Sequence, residues 1–376
     1  MDDQSVTRLD KYDEHMRRSS VAEGQEGASD LIWHDPGSEP FRLSGFPWFR
    51  QDRRYRRLPL QPSEPIPEAV DWLANCTAGG QIRFMTDSDV VYIRATLKGS
   101  ADMYHMAPAG QCGFDAYTGG FGEQLFAGTA VFAPRDTEYS ALLHRDDRRR
   151  LRLVTIHFPL YQAVEEAAVG LRSGAVLQEP PPYAHDGKVI VYGTSITQGA
   201  CASRPGMAYP NQLSRCVNLE FVNLGFSGSG KGEPEMARII AQIDSPACLV
   251  LDYEANCGGL SSLQETLPVF IRTYRQTHPK VPILLLTRIL PPGIDGDEEL
   301  KRSLEERRSY QRTLAEELKR QGDDRLYFAD GSTFLGSRYG DSTVDGIHPT
   351  DYGFVLMADA ILPELRRCLG DGEGGT

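Results

Sequence analysis

No stretch of the 376-residue chain stays apolar long enough to cross a membrane. Its longest apolar runs, such as Ile283-Leu284-Leu285-Leu286, have the length of a strand. The opening from Met1 to Asp30 is polar and charged and holds no apolar core of the kind a secretory leader needs. Both absences predict a cytoplasmic protein without a membrane partner. Positive charge is also short: 40 Lys and Arg stand against 52 Asp and Glu, a net charge of −12. Nucleic acid and anionic membranes call for a basic surface, so neither is an expected partner. The seven cysteines are odd in number, and no two are spaced C-x-x-C. Neither a disulfide framework nor a zinc site is expected, only free thiols. No repeat of fixed period is visible.

What remains is an ordinary globular composition, 40% hydrophobic and 24% charged. The length is more than one typical core accommodates, which predicts two domains. Residues 1–29 lack hydrophobic periodicity and are expected to be a disordered tail, as is the Gly-rich end, 369–376. Between about 30 and 175 short strand-like runs alternate with Gly/Pro turns. The expected strands are 81–86, 90–97, 113–117, 129–132 and 150–157. Many short strands without a long helix predict an all-β, jelly-roll-like sandwich. The stiff Pro180-Pro181-Pro182 marks the boundary.

From 186 to 368 the rhythm changes to α/β. Strands are expected at 189–192, 220–224, 247–253, 281–287 and 326–329, with helices at about 206–217, 233–243, 261–277, 297–321 and 350–367. Such alternation implies a parallel sheet with right-handed crossovers, and five strands suit a flavodoxin-like order, 2-1-3-4-5. Ligands bind at the carboxyl ends of the strands in such sheets.

Ser195 follows the apolar run Val189-Ile190-Val191-Tyr192-Gly193-Thr194 and so stands at such an end. A serine nucleophile needs a base, a group that orients the base, and donors for the oxyanion. His348 and Asp345 lie in Asp345-Gly346-Ile347-His348, between the last strand and the last helix. That spacing lets the carboxylate hold one ring nitrogen and leave the other for Ser195. After the second strand comes Gly228, whose backbone N–H can approach a substrate closely; after the third comes Asn256, with a side-chain amide. One rival reading competes at Gly225–Gly232, which nearly spells a phosphate-binding loop. Gly232 stands where that loop needs a hydroxyl for Mg²⁺, so nucleotide hydrolysis is not expected.

These blocks resemble the SGNH subgroup of the GDSL-type esterases: Gly193-Thr194-Ser195, Asn223-Leu224-Gly225-Phe226-Ser227-Gly228, Asn256, and Asp345-Gly346-Ile347-His348-Pro349. The resemblance covers about 188–366. It implies an SGNH hydrolase domain with Ser195 as nucleophile, His348 as base and Asp345 as its orienter. The Ser195 N–H, the Gly228 N–H and the Asn256 side chain would form the oxyanion hole. The chain departs from the family in reading G-T-S for G-D-S and E-A-N-C for G-x-N-D. Phe46-Pro47-Trp48, Tyr55-Arg56-Arg57-Leu58-Pro59 and Gly113-Phe114-Asp115-Ala116-Tyr117 resemble the β-domain of one branch, whose motif reads G-x-D-L-Y; here Ala116 replaces Leu. Carbohydrate acetylesterases and an acyltransferase of polyketide tailoring are relatives in that branch.

The expected activity is that of a carboxylic ester hydrolase, an acetylesterase acting on short acyl esters of carbohydrate through an acyl-enzyme, with no cofactor and no metal. Two alternatives stay open: an acyltransferase using the same acyl-enzyme, and a non-catalytic carbohydrate-binding protein. Homo-oligomerisation also stays open. His105, His144 and His157 are read as packing residues, like Trp33, Trp48 and Trp72. Cys201 and Cys257 fall near the site, but no histidine pattern beside them marks either as catalytic.

Overall fold

The computed structural model describes residues 30–370. Both expected tails, apart from residues 369 and 370, lie outside them. In chain order the strands are β1 Leu31–His34, β2 Arg42–Ser44, β3 Gln81–Thr86, β4 Val90–Leu97, β5 Asp115–Thr118, β6 Leu125–Thr129, β7 Glu138–Arg145, β8 Arg152–His157, β9 Val164–Arg172, β10 Leu177–Gln178, β11 Lys188–Gly193, β12 Glu220–Gly225, β13 Pro246–Asp252, β14 Ile283–Leu286 and β15 Leu326–Ala329.

The N-terminal strands form two antiparallel sheets. One has the order β1-β9-β4-β7; the other has β10-β3-β8-β5-β6, with β2 paired to β3. Alternate residues of both sheets meet in one apolar cluster that includes Ile82, Phe84, Ile93, Ala141, Val154, Ile156 and Val169. Five strands here, β1, β2, β7, β9 and β10, were not among those expected from the sequence. β9 contains Glu165-Glu166-Ala167-Ala168, residues with little strand preference, yet it lies between β1 and β4 and pairs with both. Pairing partners decide strand formation more than local propensity does. β7 was hidden beside the charge cluster at 145–150. The strand expected at 129–132 instead ends at Thr129.

The C-terminal strands form a parallel sheet ordered β12-β11-β13-β14-β15. β11 runs through its centre and is apolar on both faces. Ile190 and Tyr192 join one cluster, under the helices Pro234–Ile240, Leu260–Thr277 and Glu298–Arg320. Val189 and Val191 join the other, under the helices Tyr209–Cys216 and Asp351–Leu369. Each such side chain, fully buried, contributes about 1.5–3 kcal/mol of transfer free energy. This two-sided burial fixes β11, and with it the turn that follows.

Packing crosses the boundary read from the sequence. Leu58, Val70, Leu73, Ala74 and Cys76 belong to the same cluster as Ile190 and Tyr192. Arg57 is fully buried among them. It donates to the carbonyls of Leu73 and Cys76 on its own side and to those of Asn223 and Gly225 on β12. Its guanidinium lies over the Phe226 ring, 4.7 Å from the centroid. Burial pulls its pKa down to about 10. Among the described residues, no helix is long and apolar enough to span a membrane.

Candidate active site

Ser195 opens a one-turn helix, Ser195–Gln198, directly after β11. Thr194 caps this helix: its side chain accepts from the Ile196 N–H at 3.3 Å. Its own N–H donates to Thr197 Oγ1 at 3.2 Å, and the Thr197 hydroxyl donates to Asp252 Oδ2 at 2.7 Å. Tyr209 donates to the same carboxylate oxygen at 2.8 Å. Thr at 194, a departure from the family pattern, therefore serves as an N-cap, a role that needs a side-chain oxygen but no charge. Asp252, at the end of β13, anchors the turn from below. Burial raises its pKa to about 6 against the pull of those two hydroxyl donors. Gly193 has no room for a side chain: a Cβ there would stand 2.0 Å from Thr197 Oγ1 and 2.7 Å from the Asp252 carbonyl oxygen.

His348 and Asp345 lie in a tight loop closed by a bridge between Thr343 and Pro349 and by the Val344 N–H donating to the His348 carbonyl. Gly346 takes φ +85°, a left-handed conformation in which glycine carries no Cβ strain. The Asp345 carboxylate is used on both oxygens. Oδ1 accepts from the backbone N–H groups of Ile347 and His348 at 3.0 and 2.8 Å. Oδ2 faces His348 Nδ1 at 2.7 Å. Burial alone would raise the Asp345 pKa, but these hydrogen bonds outweigh it and hold the carboxyl at about 2. The other ring nitrogen, Nε2, lies 2.9 Å from Ser195 Oγ. A hydroxyl, an imidazole and an ionised carboxylate thus stand in one hydrogen-bonded line. The arrangement can move a proton from oxygen to nitrogen while the carboxylate stabilises the resulting imidazolium.

Gly228 and Asn256, the other two expected oxyanion donors, lie on loops bonded to the Ser195 turn and to each other. Gly228 has φ +65° and open space where a Cβ would be. Its loop is tied to the Ser195 turn in several ways: the Phe226 N–H donates to the Gly193 carbonyl at 3.0 Å, the Ser227 N–H to Gln198 Oε1 at 3.1 Å, and Asn223 Nδ2 to the Thr197 carbonyl at 2.7 Å. Asn256 ends the short turn Glu254–Asn256 after β13, and its Nδ2 lies 3.4 Å from the Phe226 carbonyl oxygen. Among the described residues no protein acceptor takes the backbone N–H of Ser195 or of Gly228. Glu254, in the departing E-A-N-C block, is a buried anchor. It accepts from the Arg288 N–H and from Gln311 Nε2, both at 2.8 Å. Burial raises its pKa.

Several residues around the site have surroundings that the sequence did not show. His105, read as a packing residue, instead lies against the Asp345–His348 pair. Its ring centroid is 5.9 Å from that of His348, and its Nε2 is 4.0 Å from Asp345 Oδ2. Tyr104 stacks on His105 at 4.5 Å and is 94% exposed. The only sequence signal was the cluster Met103-Tyr104-His105-Met106 in a turn region. Cys201 is buried nearby, with φ +69°. Asp115, of the Gly113–Tyr117 block, is fully buried. It accepts from Arg204 Nη1 at 2.7 Å and from the Gly206 N–H at 2.9 Å. This motif therefore fixes the chain that follows the Ser195 helix and does not touch the triad itself. Lys231, within the Gly225–Gly232 stretch, is exposed.

The chain is similar to known proteins over both of its regions. Residues 186–366 match the GDSL-like lipase/acylhydrolase family, and residues 31–177 match the N-terminus of SGNH-hydrolase-type esterases. A crystal structure named for a GDSL-like lipase from Bacteroides ovatus is 28% identical, with a TM-score of 0.81 over 90% of this chain and 98% of that one. A salicylyl-acyltransferase from a tetracycline biosynthetic pathway is 20% identical, with a TM-score of 0.71 over 91% of this chain and 98% of that one. A family two carbohydrate esterase from Cellvibrio japonicus is 13% identical, with a TM-score of 0.58 over 91% of this chain and 99% of that one. No curated protein sequence matches the chain.

Proposed function

Since residues 186–366 belong to the GDSL-like lipase/acylhydrolase family and residues 31–177 to the N-terminal region of SGNH-type esterases, we propose that the protein is a serine esterase working through a covalent acyl-enzyme. The observation that carries this reading is the unbroken line from Ser195 Oγ through His348 to Asp345, at 2.9 and 2.7 Å. Ser195 Oγ attacks the ester carbonyl carbon as His348 Nε2 takes its proton. The N–H groups of Ser195 and Gly228 and the Asn256 amide receive the negative charge that forms on the carbonyl oxygen. The tetrahedral intermediate collapses, His348 returns the proton to the leaving alcohol, and the acyl group stays on Ser195. Water, deprotonated by His348, then releases the carboxylic acid. The mechanism uses side chains and backbone of this chain alone.

The acyl group we propose is short, acetyl above all, and the alcohol is carried on a sugar. The carbohydrate esterases with this fold favour that choice, as does the exposed Tyr104 ring near the dyad, since a flat aromatic face suits a sugar ring. The first test is hydrolysis of p-nitrophenyl acetate by wild type and by Ser195→Ala. Activity in the wild type that the variant loses supports the reading, and full activity in the variant refutes it. A screen of acetylated oligosaccharides with product analysis, run with and without competing alcohol acceptors, then separates hydrolase from acyltransferase.

A further inference from the structure

Four side chains of different chemistry converge next to the nucleophile, and the esterase mechanism uses only two of them. His105 comes from the turn before the helix Pro108–Cys112, and Cys201 from the turn after the Ser195 helix. Asp345 and His348 come from the loop before the last helix. One donor atom from each lies within 4.8 Å of every other. In a tetrahedral zinc site, metal–ligand distances of about 2.0–2.3 Å put donor atoms about 3.3–3.8 Å apart. At no more than 4.8 Å, the donor separations exceed that spacing by at most about 1–1.5 Å, a movement side chains can make. The set of two imidazoles, a thiol and a carboxylate is also selective. It suits a borderline or soft ion, whereas Mg²⁺ and Ca²⁺ ask for oxygen.

Two further observations point the same way. His105 Nε2 stands 4.0 Å from Asp345 Oδ2, and Nδ1 on the same ring is buried with no hydrogen-bond partner among the described residues. Tyr104 stacks on the same ring, with centroids 4.5 Å apart. Cys201 is one of three non-glycine residues in the described chain with positive φ. Backbone of this kind is held only where surrounding structure imposes it, and it gathers at functional sites. Here it belongs to the residue that supplies the thiol.

We propose that His105, Cys201, Asp345 and His348 bind one divalent cation of the zinc class, and that the ion reversibly inhibits the enzyme by taking its base. On binding, the Cys201 thiol gives its proton to solvent as the sulfur–metal bond forms; no electrons are transferred. A metal on His348 Nε2 uses the lone pair that faces Ser195. A metal on Nδ1 leaves the ring proton on Nε2. In either case His348 cannot accept the serine proton. Cation binding stands on geometry alone, while inhibition rests on the roles proposed above for Ser195 and His348.

The test uses the full chain with the exposed Cys216 changed to Ser, so that solvent-facing thiolate does not contribute. Titration with Co²⁺ reads thiolate-to-cobalt absorption in the near ultraviolet, and Zn²⁺ is titrated against p-nitrophenyl acetate hydrolysis. The expected result is one Co²⁺ per chain with a thiolate band that Zn²⁺ displaces. Cys201→Ser should abolish the band, and His105→Gln should weaken binding about tenfold or more. Both variants should keep metal-free activity and need about tenfold more Zn²⁺ for half-inhibition. The proposal is overturned if the parent shows no thiolate band, if Cys201→Ser keeps it, or if Zn²⁺ inhibits all three proteins equally. A chain without esterase activity would sink the roles given to Ser195 and His348, and the cobalt titration would still decide the cation site.

Discussion

Replacing Asp345 by Asn tests the proposed mechanism at its least obvious point. In the native loop Oδ1 is fixed by two backbone donors, the N–H groups of Ile347 and His348. An Asn side chain at 345 must keep its one acceptor oxygen there, because an amide NH₂ facing two N–H groups would leave all of them unpaired. The NH₂ then occupies the Oδ2 position, 2.7 Å from His348 Nδ1. Two donors cannot share that contact, so Nδ1 becomes the acceptor and the ring proton moves to Nε2. That nitrogen, 2.9 Å from Ser195 Oγ, now donates to the hydroxyl it should deprotonate. Loss of the tautomer in a triad of this kind lowers kcat by about 10³–10⁴-fold, or about 4–5.5 kcal/mol of transition-state stabilisation. KM should change little, because Asp345 meets the side of the ring turned away from Ser195. The assay is steady-state hydrolysis of p-nitrophenyl acetate by wild type and Asp345→Asn, with near-ultraviolet circular dichroism to show that both are folded. A folded variant with kcat within tenfold of wild type would refute the assignment of Asp345 and the tautomer reasoning together.

Four other outcomes follow from the same geometry. Arg57→Met leaves buried carbonyls of Leu73, Cys76, Asn223 and Gly225 without their donor, at about 1–3 kcal/mol for each that finds no new partner, so urea unfolding should show a loss of at least about 3 kcal/mol; a loss under about 1 kcal/mol contradicts its role as the pin between the two regions. Gly193→Ala forces a Cβ to within 2.0 Å of Thr197 Oγ1, so the Ser195 turn must shift, and kcat/KM should fall about 10²-fold; unchanged activity would show that the turn tolerates displacement. The Asp252 pKa, raised in the fold to about 6 against an ordinary value near about 3.9, means that the folded chain binds this proton more tightly than the unfolded chain does. Wild-type stability relative to Asp252→Asn should therefore rise as pH falls from 7 through 6 towards 4; unfolding midpoints that diverge the other way would reverse the sign. Tyr104→Ala should raise KM for an acetylated oligosaccharide while leaving hydrolysis of p-nitrophenyl acetate nearly unchanged, and equal loss on both substrates would argue against a sugar-facing role.

The residues that carry the proposed chemistry were legible because each sits where a local pattern ends. Val189–Gly193 is apolar on both faces, so it can only be a buried strand, and Ser195 follows it. The spacing Asp345 to His348 is short enough for a single loop to orient the ring. Parallel strand–helix alternation then sends these ends to one edge of the sheet. A linear pattern does not carry partners distant in sequence. β9 is a strand because β1 and β4 flank it, although its Glu-Glu-Ala-Ala core says otherwise. Arg57 was read only as part of the Tyr55–Pro59 block, and only folding surrounds it with carbonyls from two regions. Thr194 read as a deviation until the helix it caps was in view. His105 and Cys201 lie 96 residues apart in sequence, and each alone is an unremarkable side chain. The fold alone brings them to Asp345 and His348, because contact between remote residues is set by how sheets and loops pack, while sequence fixes only what each segment prefers next to its neighbours.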